Sequence, residues 1–313
     1  MKRHYGREEK KVKRKPLSHI LFDCLNIFIM LLIILVTLLP FWITIVQSFN
    51  EGTDTMLSGV ALWVNKFTTE NYVQLLKDKT MLSSLWVTLA RVAAGVALGI
   101  FVQFITGYAL AVKGYKWKRA ITFYFMIPMF LSGGIIANYI LYARIGLLDN
   151  FWVYILPTLF SFYNVVVIRS YIDSSIPESL FESARLDGAG EMRIIWQIAF
   201  PLSKPIMATV GLWLAVYHWN DYTSTLYYVI TKTNLHTLQY KLVNLIKETE
   251  RIQQRLAAAA QAGKVSEVQS SVTFTSDSLV AAQVILTTAP IVAVYPFLQK
   301  YFVKGVTLGS VKG

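Results

Sequence analysis

The chain has 313 residues, of which 55% are hydrophobic and only 15% are charged. Soluble domains carry about 25% charged residues, so this composition argues against a soluble enzyme and indicates a membrane protein. A net charge of +12 would by itself suggest a nucleic-acid partner, but the basic residues cluster at the ends of apolar segments, which is typical of a membrane orientation signal. A single cysteine excludes an intrachain disulfide, and the four histidines lack metal-ligand spacing.

Six apolar segments are long enough to cross a bilayer as helices, which takes about 20 residues each. Five contain an uncharged run of 19 or more residues, and the other holds one charge, Asp221. The predicted spans are residues 20–48, 85–112, 120–143, 151–172, 205–230 and 278–303. They form an all-α transmembrane domain over residues 20–304, between a basic tail at 1–19 and a short tail at 305–313. The first span is a retained helix, because its apolar run far exceeds the about 7–15 residues of a signal peptide.

The distribution of lysine and arginine predicts that both termini lie in the cytoplasm. With that orientation the cytoplasmic segments hold 19 of these residues and the outer segments 10, as the positive-inside rule requires. Two outer segments, 51–84 and 231–278, are long, and the second includes a helix-prone stretch from Lys241 to Ala262. Each is either a surface for a partner or a solvated connection.

The segment 175–201, which we call the 175–201 loop, is amphipathic and predicts two short helices. Ser175 and Glu178 have the spacing of a capping box, which predicts a first helix from about Ile176 to Leu186. Gly188 fits the end of that helix, where glycine adopts a positive φ at low cost.

A second helix is predicted from about Gly190 to Ala199, ended by Pro201, and Pro205 opens the next span. Two helices joined by a sharp turn make a compact projection that suits a groove on another protein. A helix pair lying on the membrane surface would have the same periodicity and is the alternative.

The loop also carries a specific pattern: Glu182-Ser-Ala-Arg-Leu-Asp-Gly188, nine residues, then Ile198-Ala-Phe-Pro201. It resembles the EAA loop of importer-type ABC permeases, their docking point for the ATPase. With six spans, Trp219-Asn-Asp-Tyr222 and the glycine-rich ending Gly305–Gly313, the chain resembles type I ABC importer permeases of the carbohydrate-uptake group, the maltose-permease (MalG-like) family. The local sequence of Ala184–Gly190 is most similar to the corresponding segment of Gram-positive permeases for complex oligosaccharides.

The resemblance implies a six-helix, N-in/C-in permease subunit with a coupling loop at 175–201. The subunit would translocate a sugar, an oligosaccharide, that an extracellular solute-binding protein delivers. The implied partners are a second homologous permease in a heterodimer, an ABC ATPase dimer and the lipid bilayer of the bacterial inner or plasma membrane, with no nucleic acid. The chain would be non-catalytic and has no P-loop, so no cofactor is expected in it; ATP and Mg would be bound by the ATPase.

The resemblance also assigns residues that would couple to the ATPase. They are Glu182, Ser183, Ala184, Arg185, Asp187, Gly188, Ile198 and Pro201. Glu182 would make an ionic contact, Gly188 would shape the turn and Ala184 would permit close approach. Ser183 and Phe200 stand where the family has alanine and leucine.

Polar and aromatic residues within the spans are candidates for a sugar path, because polar groups at bilayer depth mark such paths. The candidates are Asn138, Tyr139, Tyr142, Asn164, Tyr217, His218, Asn220 and Asp221. For most of the aromatic ones, interfacial anchoring or helix packing is the alternative. Asp221 is expected near the outer surface, and Arg91 is expected to extend its charge to the interface. Gly95 and Gly99 form a G-x-x-x-G that predicts close helix packing, and Gly133-Gly134 predicts a hinge or a packing site.

Two other functional classes are alternatives to a permease subunit. A stand-alone transporter driven by an ion gradient would need acids at mid-membrane and usually an internal repeat, and the sequence shows neither. An intramembrane enzyme would need a catalytic constellation within the spans, and His218 has no such partner in sequence.

Overall fold

The computed structural model describes residues 17–52, 54–55, 62–261 and 277–310, and these residues form a helical bundle. The predictions for residues 1–16, 262–276 and 311–313 lie outside this part. The helices are α1 (Leu17–Ser48), α2 (Glu70–Lys77), α3 (Lys79–Ala111), α4 (Lys118–Phe130), α5 (Gly134–Arg144), α6 (Phe162–Ser175), α7 (Glu178–Leu186), α8 (Glu191–Leu202), α9 (Lys204–Asn220), α10 (Thr223–Tyr228), α11 (Leu238–Gln261) and α12 (Asp277–Ser310). Short 3₁₀ segments lie at Phe151–Tyr154, Leu156–Thr158 and Thr233–Leu235.

Three of the described helices, α1, α3 and α12, are long and apolar enough to cross a membrane unbroken. Three further spans become available if α4 with α5, residues 151–158 with α6, and α8 with α9 each count as one bent span. The predicted 120–143 span is therefore not one helix, since the chain turns by 112° between α4 and α5. Gly134 has φ +75° there, a conformation that residues with a Cβ adopt only at a cost.

The predicted 205–230 span also differs from the structure. Helix α9 ends at Asn220, and α10 is a separate short helix after Asp221. The helix-prone stretch predicted from Lys241 is confirmed as far as Gln261, where the described part of α11 ends. Helix α12 continues to Ser310, so the first residues of the predicted 305–313 tail are helical.

Helix α3 lies at the centre of the bundle and packs along α6 and α9, while α12 packs against α1 and α9. The largest apolar cluster joins four helices through side chains that are almost fully buried: Phe104 of α3, Ile168 of α6, Ile194 of α8 and Val210 of α9. Because α8 belongs to the 175–201 loop, that loop is continuous with the core.

The bundle has two distinct ends. We call the end with the 175–201 loop the loop end and the other the far end. The last residues of α1 and the first of α12 meet at the far end, where Asn71 donates to the Ser48 carbonyl (3.0 Å) and Ser278 donates to Thr55 (2.7 Å). Helix α1 therefore begins, and α12 finishes, toward the loop end.

Large apolar side chains cover the outside of the bundle. Leu21, Leu35 and Phe41 on α1 are each more than half exposed, as are Phe123 and Phe130 on α4. Such a surface is unfavourable in water but suits hydrocarbon or another apolar subunit.

Candidate functional site

The first helix of the 175–201 loop ends in a tight glycine turn. Gly188 has φ +79°. Its N–H donates to the Arg185 carbonyl (3.0 Å), and the N–H of Ala189 donates to the Ala184 carbonyl (2.9 Å). These bonds satisfy carbonyls that a helix end leaves free. The predicted role of Gly188 as a helix stop is therefore confirmed.

The predicted capping box at the start of α7 is wrong. Ser175 is the last residue of α6, and α7 begins only at Glu178, after Pro177. Ile176 is extended because a residue before proline is pushed out of the helical region. The Glu178 carboxylate instead pairs with Lys113, just beyond the end of α3.

Pro201 does not end the second helix as predicted, since α8 runs on to Leu202. Residues Ile195–Ala199 form a π-helical turn, and the last α-helical piece begins at Phe200. Pro201 thus lies in the first turn of a new piece, where its missing N–H removes no helical hydrogen bond.

Polar and apolar contacts fix the loop to the bundle. The Tyr108 hydroxyl of α3 donates to Glu191 (2.9 Å), and Arg185 Nε donates to the other oxygen of Glu191 (2.8 Å). Beneath this network, Ile194 and Ala199 of α8 have no exposed surface and belong to the core cluster. Motion of α8 would therefore move α3, α6 and α9 with it.

Hydrogen bonds within the two ion pairs favour the charged forms of Glu191, Arg185 and Lys113. The hydrogen bond from Arg185 lowers the pKa of Glu191, and the same bond raises the pKa of Arg185. The hydrogen bond to Glu178 likewise raises the pKa of Lys113. All four side chains are substantially exposed, so their pairing contributes little to stability and mainly orients them.

The face of the loop that points away from the bundle is exposed. Leu186 is 88% exposed and Met192 is 66% exposed, which is unusual for large apolar side chains unless a partner covers them. Among the predicted coupling residues, the structure leaves Glu182, Ser183, Asp187, Gly188 and Pro201 exposed, half-buries Ala184 and Ile198, and uses Arg185 to hold Glu191. Beside them, Lys113, Glu178 and Phe181 line a cleft of about 300 Å³.

A second polar site lies toward the far end, where Arg91 meets Asp221. The Arg91 side chain is fully buried, which corrects the expectation that it extends to the interface. One guanidinium nitrogen donates to the Asp221 backbone carbonyl (2.8 Å), and another pairs with its carboxylate. The guanidinium also lies over the Tyr154 ring, 4.6 Å from the centroid. The Asp221 side chain is likewise buried, with 7% of its surface exposed, and its predicted position near the outer surface of the membrane stays a prediction.

Four polar side chains, three of them predicted, come together beside this pair. The rings of Tyr142 and Tyr228 are 4.9 Å apart in a T-shaped contact, and Asn138 lies beside Tyr228. Tyr217 lies within electrostatic range of both tyrosines and is half exposed. We call Asn138, Tyr142, Tyr217 and Tyr228 the tyrosine cluster.

The other predicted path residues are dispersed. Asn164 is buried and donates to Gln103 (2.9 Å), so it supports helix packing. His218 is buried against Gly95, while Tyr139 and Asn220 are exposed. Within the described residues, no three His, Cys, Asp or Glu side chains are grouped to hold a metal ion.

Comparison with known proteins agrees with this architecture. Residues 95–308 match the family described as the inner membrane component of binding-protein-dependent transport systems. The chain belongs to this family. Within it, the chain is 32% identical over 292 residues to protein LplC of Bacillus subtilis (strain 168), covering 93% of this chain and 95% of LplC.

Two further proteins resemble this inner membrane component. This chain is 30% identical over 293 residues to the polygalacturonan/rhamnogalacturonan transport system permease protein YtcP of Bacillus subtilis (strain 168), covering 94% of this chain and 99% of YtcP. A chain of a bacterial ABC transporter that imports the acidic polysaccharide alginate superposes with a TM-score of 0.80 at 24% identity, covering 93% of this chain and 100% of that one. The fold is therefore the all-helical fold of ABC importer permeases.

Sequence reasoning missed several residues of this inner membrane component. Arg91 was treated alone because its partner is 130 residues away. Nothing in the sequence distinguishes Tyr228 from the other tyrosines, and no local pattern predicts the contact between Tyr108 and Glu191. The signal that was available is a charged residue, Arg91, inside an otherwise apolar span, which calls for a buried partner.

Proposed function

We propose that this chain is the non-catalytic permease subunit of an ABC importer for a saccharide. The observation that carries the proposal is the 175–201 loop, whose inner face belongs to the core of the bundle while its apolar tip stays exposed. Two proteins that it resembles support an oligosaccharide as the cargo, since YtcP belongs to a polygalacturonan/rhamnogalacturonan transport system and the structural neighbour to a transporter that imports alginate.

The loop is proposed to dock into a cleft of an ABC ATPase. Leu186 and Met192 supply apolar surface for that contact, and Glu182 supplies an exposed charge. Since Ile194 anchors α8 in the core, closure of the ATPase dimer would shift the helices rather than bend the loop. Hydrolysis would take place in the ATPase, which would hold the ATP and Mg.

The proposed assembly contains two such ATPase subunits, a second homologous permease and an extracellular solute-binding protein. It lies in the bacterial cell membrane with six spans and with the loop end in the cytoplasm. The excess of Lys and Arg on that side supports the orientation. The start of α1 and the end of α12, both toward the loop end, support an N-in, C-in topology.

The tyrosine cluster is proposed to line the sugar path. Its members combine an amide with phenol groups and half-exposed rings, the kinds of group that hydrogen-bond and stack on saccharides. It lies next to helix breaks, and broken helices at membrane depth are tolerated where they line a cavity or are covered by protein. The dispersed candidates Tyr139, His218 and Asn220 are proposed as weaker members of the same path, and Asn164 as a support.

Co-purification with the candidate ATPase tests the function. The wild type is expected to form a complex whose ATP hydrolysis rises with loaded binding protein. Glu182→Ala is expected to weaken assembly because it removes the exposed charge. Gly188→Val is expected to weaken it because valine at φ +79° costs about 1–2 kcal/mol of backbone strain. Gly190→Ala is the control, since Gly190 has φ −71° and a Cβ there meets no atom within 4 Å.

A different result would favour the gradient-driven transporter. The buried Asp221 is the kind of carboxylate that such a transporter uses, although here it is paired with Arg91. If the wild type purifies alone and transports without an ATPase, the ABC function is wrong and that alternative takes its place.

A further inference from the structure

Asp221, which pairs with Arg91, also has a structural role between two helices. Asp221 and Tyr222 lie between α9 and α10. Its N–H closes the last turn of α9 by donating to the Tyr217 carbonyl (3.1 Å). Its carboxylate accepts the N–H groups of Thr223 (2.9 Å) and Ser224 (3.2 Å), which begin α10. One residue therefore ends one helix and caps the next.

Arg91 binds this joint from α3. It contacts the backbone carbonyl and the carboxylate of Asp221 with two different nitrogens, so both the position and the direction of the joint are specified. On the other side, the Tyr154 hydroxyl bonds Thr225 of α10 (2.9 Å) and the Leu235 carbonyl (2.9 Å). The joint is thus held between α3 and the Phe151–Tyr154 segment.

Stability alone does not account for such a pair. Replacing a buried ion pair by well-packed apolar residues is often neutral or stabilising, because the desolvation penalty offsets the attraction between the charges. What Arg91 supplies, and an apolar side chain would not, is a fixed direction toward Asp221 from a planar donor group.

The joint determines where two members of the tyrosine cluster lie. Tyr217 is in the last turn of α9, just before Asp221, and Tyr228 is the last residue of α10, just after it. We infer that Arg91 and Asp221 are a positioning pair that sets the angle between α9 and α10 and so fixes the position of Tyr217 relative to Tyr228. The consequence for sugar contact rests on the proposed function, but the geometric role does not.

Distance measurement by electron paramagnetic resonance tests the geometry. In a Cys24→Ser background, spin labels at Val216→Cys and Tyr227→Cys report on α9 and α10, since both positions are exposed and lie outside the cluster. The variant is Arg91→Met with Asp221→Asn, which removes both charges while asparagine keeps the capping oxygen. We expect the distance distribution to shift or broaden by several ångströms.

A label pair at Leu186→Cys and Met192→Cys, both exposed on the 175–201 loop, is the matched control and should not change. An unchanged distribution across the joint would overturn the inference. So would broadening of both pairs, because the ion pair would then support the whole fold rather than the joint.

The amount of membrane-inserted protein serves as the control for misfolding of the variants. Arg91→Met or Asp221→Asn alone leaves an unpaired buried charge and should reduce the membrane-inserted protein more than threefold, while the double variant should recover to within twofold. If the double variant does not recover, Arg91→Lys, which keeps the charge but lacks the planar group with two donors, provides the test. It should broaden the distribution across the joint, and an unchanged distribution would again overturn the inference.

Transport separates this inference from the proposed function. With ATPase and binding protein in proteoliposomes, the double variant should keep stimulated ATP hydrolysis within about twofold of wild type. It should import at least fivefold less radiolabelled sugar per ATP, with maltotriose and trigalacturonate as probes. Equal import per ATP would remove the functional consequence, whereas a wild type that needs no ATPase would contradict only the proposed function.

Discussion

At the residue scale, α3 and α9 pack tightly where His218 meets Gly95. His218 of α9 is buried, and its ring nitrogens have no hydrogen-bond partner within the described residues. A Cβ added to Gly95 of α3 would lie 2.1 Å from His218 Nε2, so only glycine fits. The predicted role of the G-x-x-x-G in helix packing is confirmed, and the packing partner is α9.

Gly95→Ala is expected to destabilise the protein by about 1–3 kcal/mol, the range for overpacking a tight contact. Thermal unfolding in detergent measures the change. Gly99→Ala should cost less, because the Cβ would lie 3.0 Å from a flexible Leu214 methyl group. Adding His218→Ala to Gly95→Ala should recover most of the loss, and no recovery would show that another contact is responsible.

At the element scale, α7 and α8 give the 175–201 loop an exposed tip and a buried base. Leu186 at the tip is 88% exposed, whereas Ile194 at the base has no exposed surface and belongs to a core cluster that includes side chains of three other helices. Binding of a partner and transmission of its movement therefore depend on different residues.

Leu186→Ala should weaken binding of the ATPase and leave the fold intact, because it removes only exposed apolar surface. Ile194→Ala should cost about 2–5 kcal/mol of stability through a core cavity. It should preserve ATPase binding but lower the transport rate per bound ATPase. Co-purification and transport assays on the same preparations separate the two effects, and equal effects on both assays would contradict this division.

The elements also show where sequence reasoning reaches its limit. The uncharged 120–143 segment reads as one span, because hydropathy registers composition and not direction. The 112° turn depends on the left-handed Gly134 and on which neighbours cover the two short helices. The capping box at Ser175 failed for a local reason, since Pro177 overrides the side-chain spacing.

At the scale of the whole molecule, the two ends of the bundle carry different sites. The 175–201 loop lies at one end, and the joint at Asp221 lies toward the other. Arg91 and Tyr108, which contact the two sites, are 17 residues apart on α3, or roughly 25 Å at 1.5 Å per residue. A single central helix therefore connects the site proposed for the ATPase with the site proposed for sugar.

Cysteine labelling tests the proposed orientation in whole cells. In a Cys24→Ser background, Ile230→Cys near the far end should react with a membrane-impermeant maleimide, since Ile230 is 61% exposed. Leu186→Cys should react only after the cells are permeabilised. Labelling of Leu186→Cys in intact cells would place the loop outside the cytoplasm and reverse the orientation.

The sequence by itself determined the membrane class, the apolar segments, the loop pattern and the turn at Gly188. All of these depend on composition or on residues close in the chain, which set hydropathy, helix capping and backbone conformation locally. Only the tertiary structure decided that Arg91 pairs with Asp221, that Tyr108 holds Glu191, and that Tyr142 of α5 meets Tyr228 of α10. Those contacts join residues far apart in sequence, and their partners are fixed by how the helices pack rather than by any local pattern.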